Sequence, residues 1–126
     1  MLTPEEVAKL AVRTLDGKKA GDLRLLRTRD VTVLADYFVI ATASSTTQLK
    51  MLADTVSEAL EAAGEKTLRS EGARECGWIL VDFGCLVVHL FLRETREFYS
   101  LERLWSDAQE EDVAAFLAGG PGSDDT

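Results

Sequence analysis

The single histidine, His89, and the two cysteines, Cys76 and Cys85, are the side chains with the widest range of chemistry in this chain. A zinc site needs about four ligands, and two thiols with one imidazole at these spacings do not supply them. Nucleophilic catalysis needs a base beside the nucleophile, and no serine stands close to His89 in the sequence, although a neighbour from elsewhere in the fold stays open. We therefore interpret both thiols as packing residues, and His89 as a histidine of the interior or of a protein interface.

Acidic residues are the other candidates for chemistry. Two-metal phosphoryl or nucleotidyl transfer needs carboxylates that converge on one face, usually about two positions apart on a strand. At that offset Asp36 is followed by Phe38 and Asp82 by Gly84, so neither aspartate has a partner. Asp82 also opens a kinase-like Asp-Phe-Gly tripeptide, but no glycine-rich loop or catalytic-loop sequence accompanies it. The sequence thus predicts a non-enzyme with no catalytic residue, no metal site and no cofactor.

The stretch Ser45-Thr46-Thr47-Gln48 follows a predicted strand and opens a predicted helix. The N-terminus of a helix can hold an anion such as a phosphate. However, the loop over residues 43–46 has neither the glycine nor the lysine of a phosphate-binding loop. We interpret these residues as a helix cap, with the anion site as the weaker alternative.

Residues 77–105 hold both tryptophans, the histidine and three of the five phenylalanines, and the chain is organised around them. Residues 78–81 and 86–92 predict a β-hairpin, with its turn at 82–85. We expect Val81 to pair with Leu86, and Trp78 with His89. One face is then aliphatic and internal, while the other is mixed and suits a protein partner as well as an interior: Trp78, Leu80, Asp82, Cys85, Val87, His89 and Phe91.

The remaining elements must position this hairpin. Capped helices are predicted from Thr3 to Gly17 and from Ser45 to the residue before Gly64. Strands are predicted at 23–26, 36–42 and 67–72, the second of them buried on both faces. A short helix at 101–105 and a last helix over 107–117 complete the series. We predict an α/β fold with a mixed β-sheet of about five strands and helices packed on it.

Length and charge limit the function classes. The chain has 126 residues and a net charge of −8. Residues 1–93 carry 13 acids and 12 bases, whereas residues 94–126 carry 9 acids and 2 bases. This distribution argues against direct nucleic-acid binding through the C-terminal end and favours a basic partner, although the charges after residue 107 suit a solvated tail. We expect one domain over residues 1–107, an acidic, glycine-rich and partly disordered tail over 108–126, and, with no secretory or membrane-spanning segment, a cytoplasmic protein.

Five blocks, taken in order, resemble the ribosomal silencing factor family, also called the Iojap family. They are ADYFVIAT at 35–42, LRSEG at 68–72, GWILVDFG at 77–84, VVHLF at 87–91 and REFYSLERLW at 96–105. The resemblance covers residues 3–105, and the last block is the most distinctive.

The resemblance implies a nucleotidyltransferase-like fold without its catalytic carboxylates. It also implies a translational repressor that binds the large ribosomal subunit through its protein L14 (the fourteenth of its series). Bound at the intersubunit face, such a protein blocks joining of the small subunit and lowers translation under nutrient limitation. Large-subunit assembly is a second family role, and free members are often homodimers.

Aromatic side chains anchor protein interfaces and charged side chains surround them, so the hairpin and the last block predict the docking surface. We expect Trp78 and Tyr99 to be apolar anchors, and Asp82, Glu97 and Glu102 to pair with basic residues. The predicted surface comprises Trp78, Leu80, Asp82, His89, Glu97, Phe98, Tyr99, Leu101, Glu102, Leu104 and Trp105. The alternatives left open are a nucleotide-binding or nucleotidyl-transferring enzyme and a homo-oligomeric scaffold without ribosome contact.

Overall fold

A computed structural model describes residues 2–28, 35–95, 109–111 and 113 of the chain. Helix α1 (Pro4–Gly17) begins after Thr3, whose hydroxyl accepts a hydrogen bond from the Glu6 backbone N–H at 3.1 Å. The Glu6 carboxylate in turn accepts from the Thr3 N–H at 2.8 Å. This capping box satisfies two backbone donors that the first helical turn cannot pair internally, and it confirms the predicted start.

Helix α2 (Thr46–Ala62) begins after Ser45, whose hydroxyl accepts from the Gln48 N–H at 3.1 Å. The Gln48 side chain accepts from the Ser44 N–H at 2.6 Å, so the reciprocal bond of the cap goes to Ser44 instead of Ser45. At the other end Gly64 has φ +98°, a backbone conformation that glycine adopts without strain. The glycine therefore ends α2 where the sequence predicted.

Six strands form one sheet: β1 (Gly21–Arg27), β2 (Tyr37–Ala43), β3 (Arg69–Ala73), β4 (Trp78–Asp82), β5 (Leu86–Leu92) and β6 (Gln109–Glu111). Their spatial order is β3-β4-β5-β2-β1-β6. Strands β2 and β5 run parallel, and the other neighbouring pairs run antiparallel. The sheet is therefore mixed, as predicted, and helices α1 and α2 pack on it.

The sheet has two different faces. We call the first the helix-covered face, because α1 and α2 pack against it; its strand residues include Val39, Ile79, Val81, Leu86, Val88 and Leu90. The second, which we call the opposite face, carries Leu26, Phe38, Ile40, Leu80, Val87 and Phe91, with Trp78 packed at its margin. Every residue of β2 is buried, so the predicted burial of that strand on both faces is confirmed.

The C-terminal part of the sheet differs from the sequence prediction. Residues 109–111 form β6 instead of part of a last helix, and they pair with β1 from Leu25 to Arg27. The free edge of β1 offers backbone hydrogen-bond partners there, and such tertiary pairing overrides the weak strand propensity of Gln-Glu-Glu. Part of the predicted tail thus belongs to the sheet. The helix predicted at 101–105 lies outside the described residues, and the likeness to nucleotidyltransferases stays a prediction.

Candidate functional site

Strands β4 and β5 form the predicted hairpin in a different register. Leu80 lies opposite His89, where the sequence analysis placed Trp78. The predicted pairing is wrong by two residues, because the turn closes later: the Asp82 carboxylate accepts from the Gly84 N–H at 2.8 Å, and Gly84 takes φ +92°. A slip of two residues leaves every strand side chain on its predicted face, since strand side chains alternate with a period of two. Cys85, in the turn, was predicted on the mixed face and instead packs against the helix-covered core.

His89 lies in the middle of the opposite face. It is 6% exposed and is flanked by Leu80 on β4 and Ile40 on β2. The Phe38 ring centroid lies 5.1 Å from that of the imidazole, and the Phe91 ring stacks on it at 6.3 Å with an interplanar angle of 4°. Within the described part of the chain, neither imidazole nitrogen has a hydrogen-bond partner. The imidazole therefore packs as an aromatic ring among apolar neighbours.

The electrostatics of His89 follow from this burial. Desolvation lowers the pKa of His89 from 6.5 to about 4, because an imidazolium ion is poorly solvated among apolar side chains. The side chain is consequently neutral near pH 7. This favours the interpretation of His89 as an interior residue over that of a proton-transfer residue.

A group of partly exposed residues borders the apolar centre on the side of β3. The Arg69 guanidinium lies 3.3 Å from the Asp82 carboxylate and 2.6 Å from that of Glu71. Trp78, half-buried, stacks on Phe91 at 6.4 Å between ring centroids. We call Trp78, Asp82, Arg69 and Glu71 the β4 rim. An indole edge beside solvent-exposed ion pairs, which add little to stability, is typical of a protein interface.

The structure thus separates the predicted site residues into three groups. Trp78 and Asp82 lie on the β4 rim, half-buried and accessible to a partner. Leu80 and His89 are buried, so they lie beneath the predicted surface and are not exposed on it. The other predicted residues lie outside the described residues: Glu97, Phe98, Tyr99, Leu101, Glu102, Leu104 and Trp105.

Sequence reasoning missed Arg69 and Glu71 as members of this surface. Both stand in the block LRSEG, but no role was assigned to them. Their place beside Asp82 depends on the pairing of β3 with β4, in which Arg69 lies opposite Asp82 and Glu71 opposite Leu80. The signal available in the sequence was the alternation of charged residues at 69 and 71, which predicts one polar strand face.

The cysteines and the helix cap complete the candidate chemistry. Cys76 is exposed, so its interpretation as a packing residue is wrong, whereas Cys85 packs against the helix-covered core. Burial raises the pKa of the Cys85 thiol, and the carboxylates of Glu65 and Asp36 raise it further. Across the described ranges, no three His, Cys, Asp or Glu residues are grouped so that they could hold a metal ion.

The start of α2 borders a groove of about 300 Å³ at the carboxyl ends of β2 and β5. The Gln48 side chain accepts there from both the backbone N–H and the hydroxyl of Ser44. The Gln48 N–H at the start of the helix is in turn used by the Ser45 hydroxyl, so the geometry favours a helix cap over an anion site. No helix in the described segments is long and apolar enough to cross a membrane.

The sequence and the fold of this chain are similar to those of known proteins. Residues 2–124 match the model of a family described as ribosomal silencing factor during starvation. The chain belongs to this family. A ribosomal silencing factor from Halalkalibacterium halodurans is 34% identical over 107 residues, which cover 85% of this chain and 92% of the relative.

Two further relatives extend the comparison. The crystal structure of a protein from Chromobacterium violaceum superposes with a TM-score of 0.81 at 36% sequence identity, covering 88% of this chain and 92% of that one. A mouse protein named mitochondrial assembly of ribosomal large subunit protein 1 is 32% identical over 112 residues, which cover 86% of this chain but 49% of the mouse protein. The α/β fold of the silencing-factor family is therefore shared by this chain.

Proposed function

We propose that this protein represses translation by binding the large ribosomal subunit and blocking the joining of the small subunit. The observation that carries the proposal is membership of the silencing-factor family over nearly the whole chain, residues 2–124. We propose further that the contact on the subunit is its protein L14 at the intersubunit face, that repression operates under nutrient limitation, and that the site of action is the cytoplasm.

The surface charge supports a basic partner. The chain carries 22 acidic and 14 basic residues, for a net charge of −8. Complementary potential speeds encounter and disfavours partners of the wrong charge. Most of the acidic excess lies in residues 94–126, and this end is poorly suited to direct contact with ribosomal RNA, whose phosphates attract lysine and arginine. A basic ribosomal protein is therefore a better binding partner than the RNA around it.

We propose that docking uses the β4 rim. Trp78 offers an indole that is partly exposed and held by its stacking on Phe91. A preordered aromatic anchor loses little side-chain entropy on binding, which is one reason that tryptophan dominates interface energetics. Asp82 beside it is held by its bond to the Gly84 N–H and presents its second oxygen to Arg69. The residues predicted in the block at 97–105 remain part of the proposed surface.

A role in assembly of the large subunit is the second candidate. It is favoured by the name of the mouse relative, which refers to assembly of the ribosomal large subunit. An assembly factor would bind precursors of the subunit, whereas a silencing factor binds the mature one. We also propose that the chain is not an enzyme and that its free form is a homodimer. Stabilisation of the free protein by nucleotides with Mg²⁺ would contradict the first of these proposals.

Co-sedimentation with mature large subunits tests the main proposal. Purified protein is centrifuged with isolated large subunits, and small subunits are then added. We expect the protein to pellet with the large subunits and to lower the yield of joined ribosomes in proportion to its occupancy. A protein that stays in the supernatant at micromolar concentration contradicts the proposal, and one that pellets without lowering the yield favours the assembly role.

A further inference from the structure

The outer edge of β3 is a part of the sheet that the proposed docking rim does not use. In the sheet that the described residues form, β3 is the terminal strand and pairs with β4 alone. The Leu68 N–H donates to the Asp82 carbonyl at 2.8 Å, which fixes the direction of the strand's backbone groups. Because the Asp82 carbonyl faces β3, and backbone groups point alternately to the two edges of a strand, those of Arg69 and Glu71 bond to β4. The backbone groups of Ser70 therefore point away from β4. They are available to an added strand.

A groove of about 440 Å³ lies along this edge on the side of α2. Its β3 wall is made of small residues, Ser70 and Gly72, and its apolar lining includes Ile79 and Val81 of β4. A strand added to β3 would direct every second side chain to this side of the sheet. The groove therefore provides the space that alternate side chains of an added strand need.

Both ends of the edge are defined by single residues. Leu68, which leads into β3, is 63% exposed. Among the described residues it is the large hydrophobic side chain most exposed to solvent. Gly72, with φ +82°, ends the regular stretch, and a Cβ placed on it would lie 2.3 Å from the Trp78 carbonyl oxygen. An added strand would thus pair with Arg69 to Glu71 and cover Leu68, as in peptide recognition by strand addition.

Charges at the edge indicate the chemistry of the added strand. Arg69 is shared by two carboxylates, those of Glu71 and Asp82. Lys50 on α2 is paired with Asp54 at 2.7 Å on the groove side. Together these five side chains provide three carboxylates and two cations. This local surplus favours a strand that carries lysine or arginine.

We infer that the β3 edge accepts, by strand addition, an extended basic segment of the large-subunit protein on which the chain docks. The inference rests on the proposed function for the identity of the partner. It adds a main-chain contact to the side-chain contacts of the β4 rim, and the two surfaces meet at Arg69 and Glu71. Main-chain pairing would supply affinity there, and the groove would supply selectivity for alternate side chains.

Hydrogen–deuterium exchange of the full chain tests the inference. Exchange is measured for dilute protein, for concentrated protein, and for protein with isolated large subunits, while co-sedimentation reports binding separately. We expect the amide of Ser70 to slow at least tenfold with subunits alone. Slowing with concentrated protein alone assigns the edge to a second copy and overturns the inference.

Two further outcomes are distinguishable. Co-sedimentation without any slowing at Ser70 overturns the edge contact and leaves the proposed function intact. Failure to co-sediment overturns the proposed function, and it overturns this inference as well, since the inference commits to that partner.

A pair of variants at one position separates the backbone from the side chain. Ser70→Ala and Ser70→Pro both remove the hydroxyl, but only the proline removes the outward N–H. We expect Ser70→Pro to bind large subunits at least tenfold more weakly than Ser70→Ala. Equal affinities would contradict strand addition. If Ser70→Pro does not unfold cooperatively, the exchange measurement on the unmodified chain decides.

Discussion

The two faces of the sheet are formed by the same strands but carry different kinds of side chain. On the helix-covered face, β4 and β5 present aliphatic side chains only, and α1 and α2 bury them. On the opposite face the same strands present an indole, an imidazole and a carboxylate among apolar residues. A face selected for stability alone would not bury a histidine that has no hydrogen-bond partner among the described residues, because an unpaired polar group costs free energy when it leaves water.

This contrast supports the proposal that the opposite face serves recognition as well as packing. Trp78 and Asp82 lie at its margin, where a partner can reach them, and His89 lies behind them. The difference also makes the faces separable by experiment. Changes on the helix-covered face should act on the free energy of unfolding, and changes at the margin of the opposite face should act on binding.

The largest effect is expected on the helix-covered face. Leu90→Ala removes a fully buried side chain and leaves a cavity, so we expect a loss of about 2–5 kcal/mol in the free energy of unfolding. Urea denaturation followed by circular dichroism measures it. Under conditions in which the variant is folded, it should bind large subunits with the affinity of the unmodified chain. A folded Leu90→Ala protein that fails to bind would break the proposed separation of the faces.

Trp78→Glu should weaken the binding of large subunits. It removes the proposed anchor and adds a negative charge, and we expect affinity for large subunits to fall about 100-fold, which corresponds to roughly 2.7 kcal/mol. Unfolding should remain cooperative, since Trp78 is only half-buried. Thr47→Glu is the matched control, because it adds the same charge at the exposed first turn of α2. Loss of cooperative unfolding in Trp78→Glu would instead make Trp78 a core residue.

A smaller effect on the free energy of unfolding is expected when the pH is lowered, because His89 is then protonated in the unfolded chain. Its pKa is about 4 in the folded chain and 6.5 as the unperturbed value, so the unfolded chain binds a proton first as the pH falls. Protonation of His89 in the unfolded chain lowers the free energy of unfolding. The loss is absent above pH 6.5 and develops as the pH falls from 6.5 to about 4. At pH 5 the loss is roughly 2 kcal/mol.

His89→Leu should abolish this component, so its stability should fall less between pH 7 and pH 5 than that of the unmodified chain. Denaturant titrations of both proteins at the two pH values give the comparison. Equal losses in the two proteins would show that His89 is hydrated or hydrogen-bonded in the folded state.

Most of the fold could be predicted because its signals are local. The Thr3 capping box, the glycine after α2 and the apolar run of β2 each depend on residues that are neighbours in the sequence. Face assignment in the hairpin also survived an error in register, since the alternation of side chains depends only on whether a position is odd or even. Family membership was likewise predictable from ordered blocks of sequence.

Other features were decided only by contacts between distant segments. The ion pairs of Arg69 with Asp82, and the pairing of β6 with β1, join residues that no local pattern connects. The burial of His89 depends on Phe38 from another strand as well as on its own hairpin neighbours. The sequence by itself determined helices α1 and α2, most strands, their faces and the family. Tertiary structure decided the register, the partners of each charge and the accessible part of the predicted surface, because these depend on which strands lie side by side.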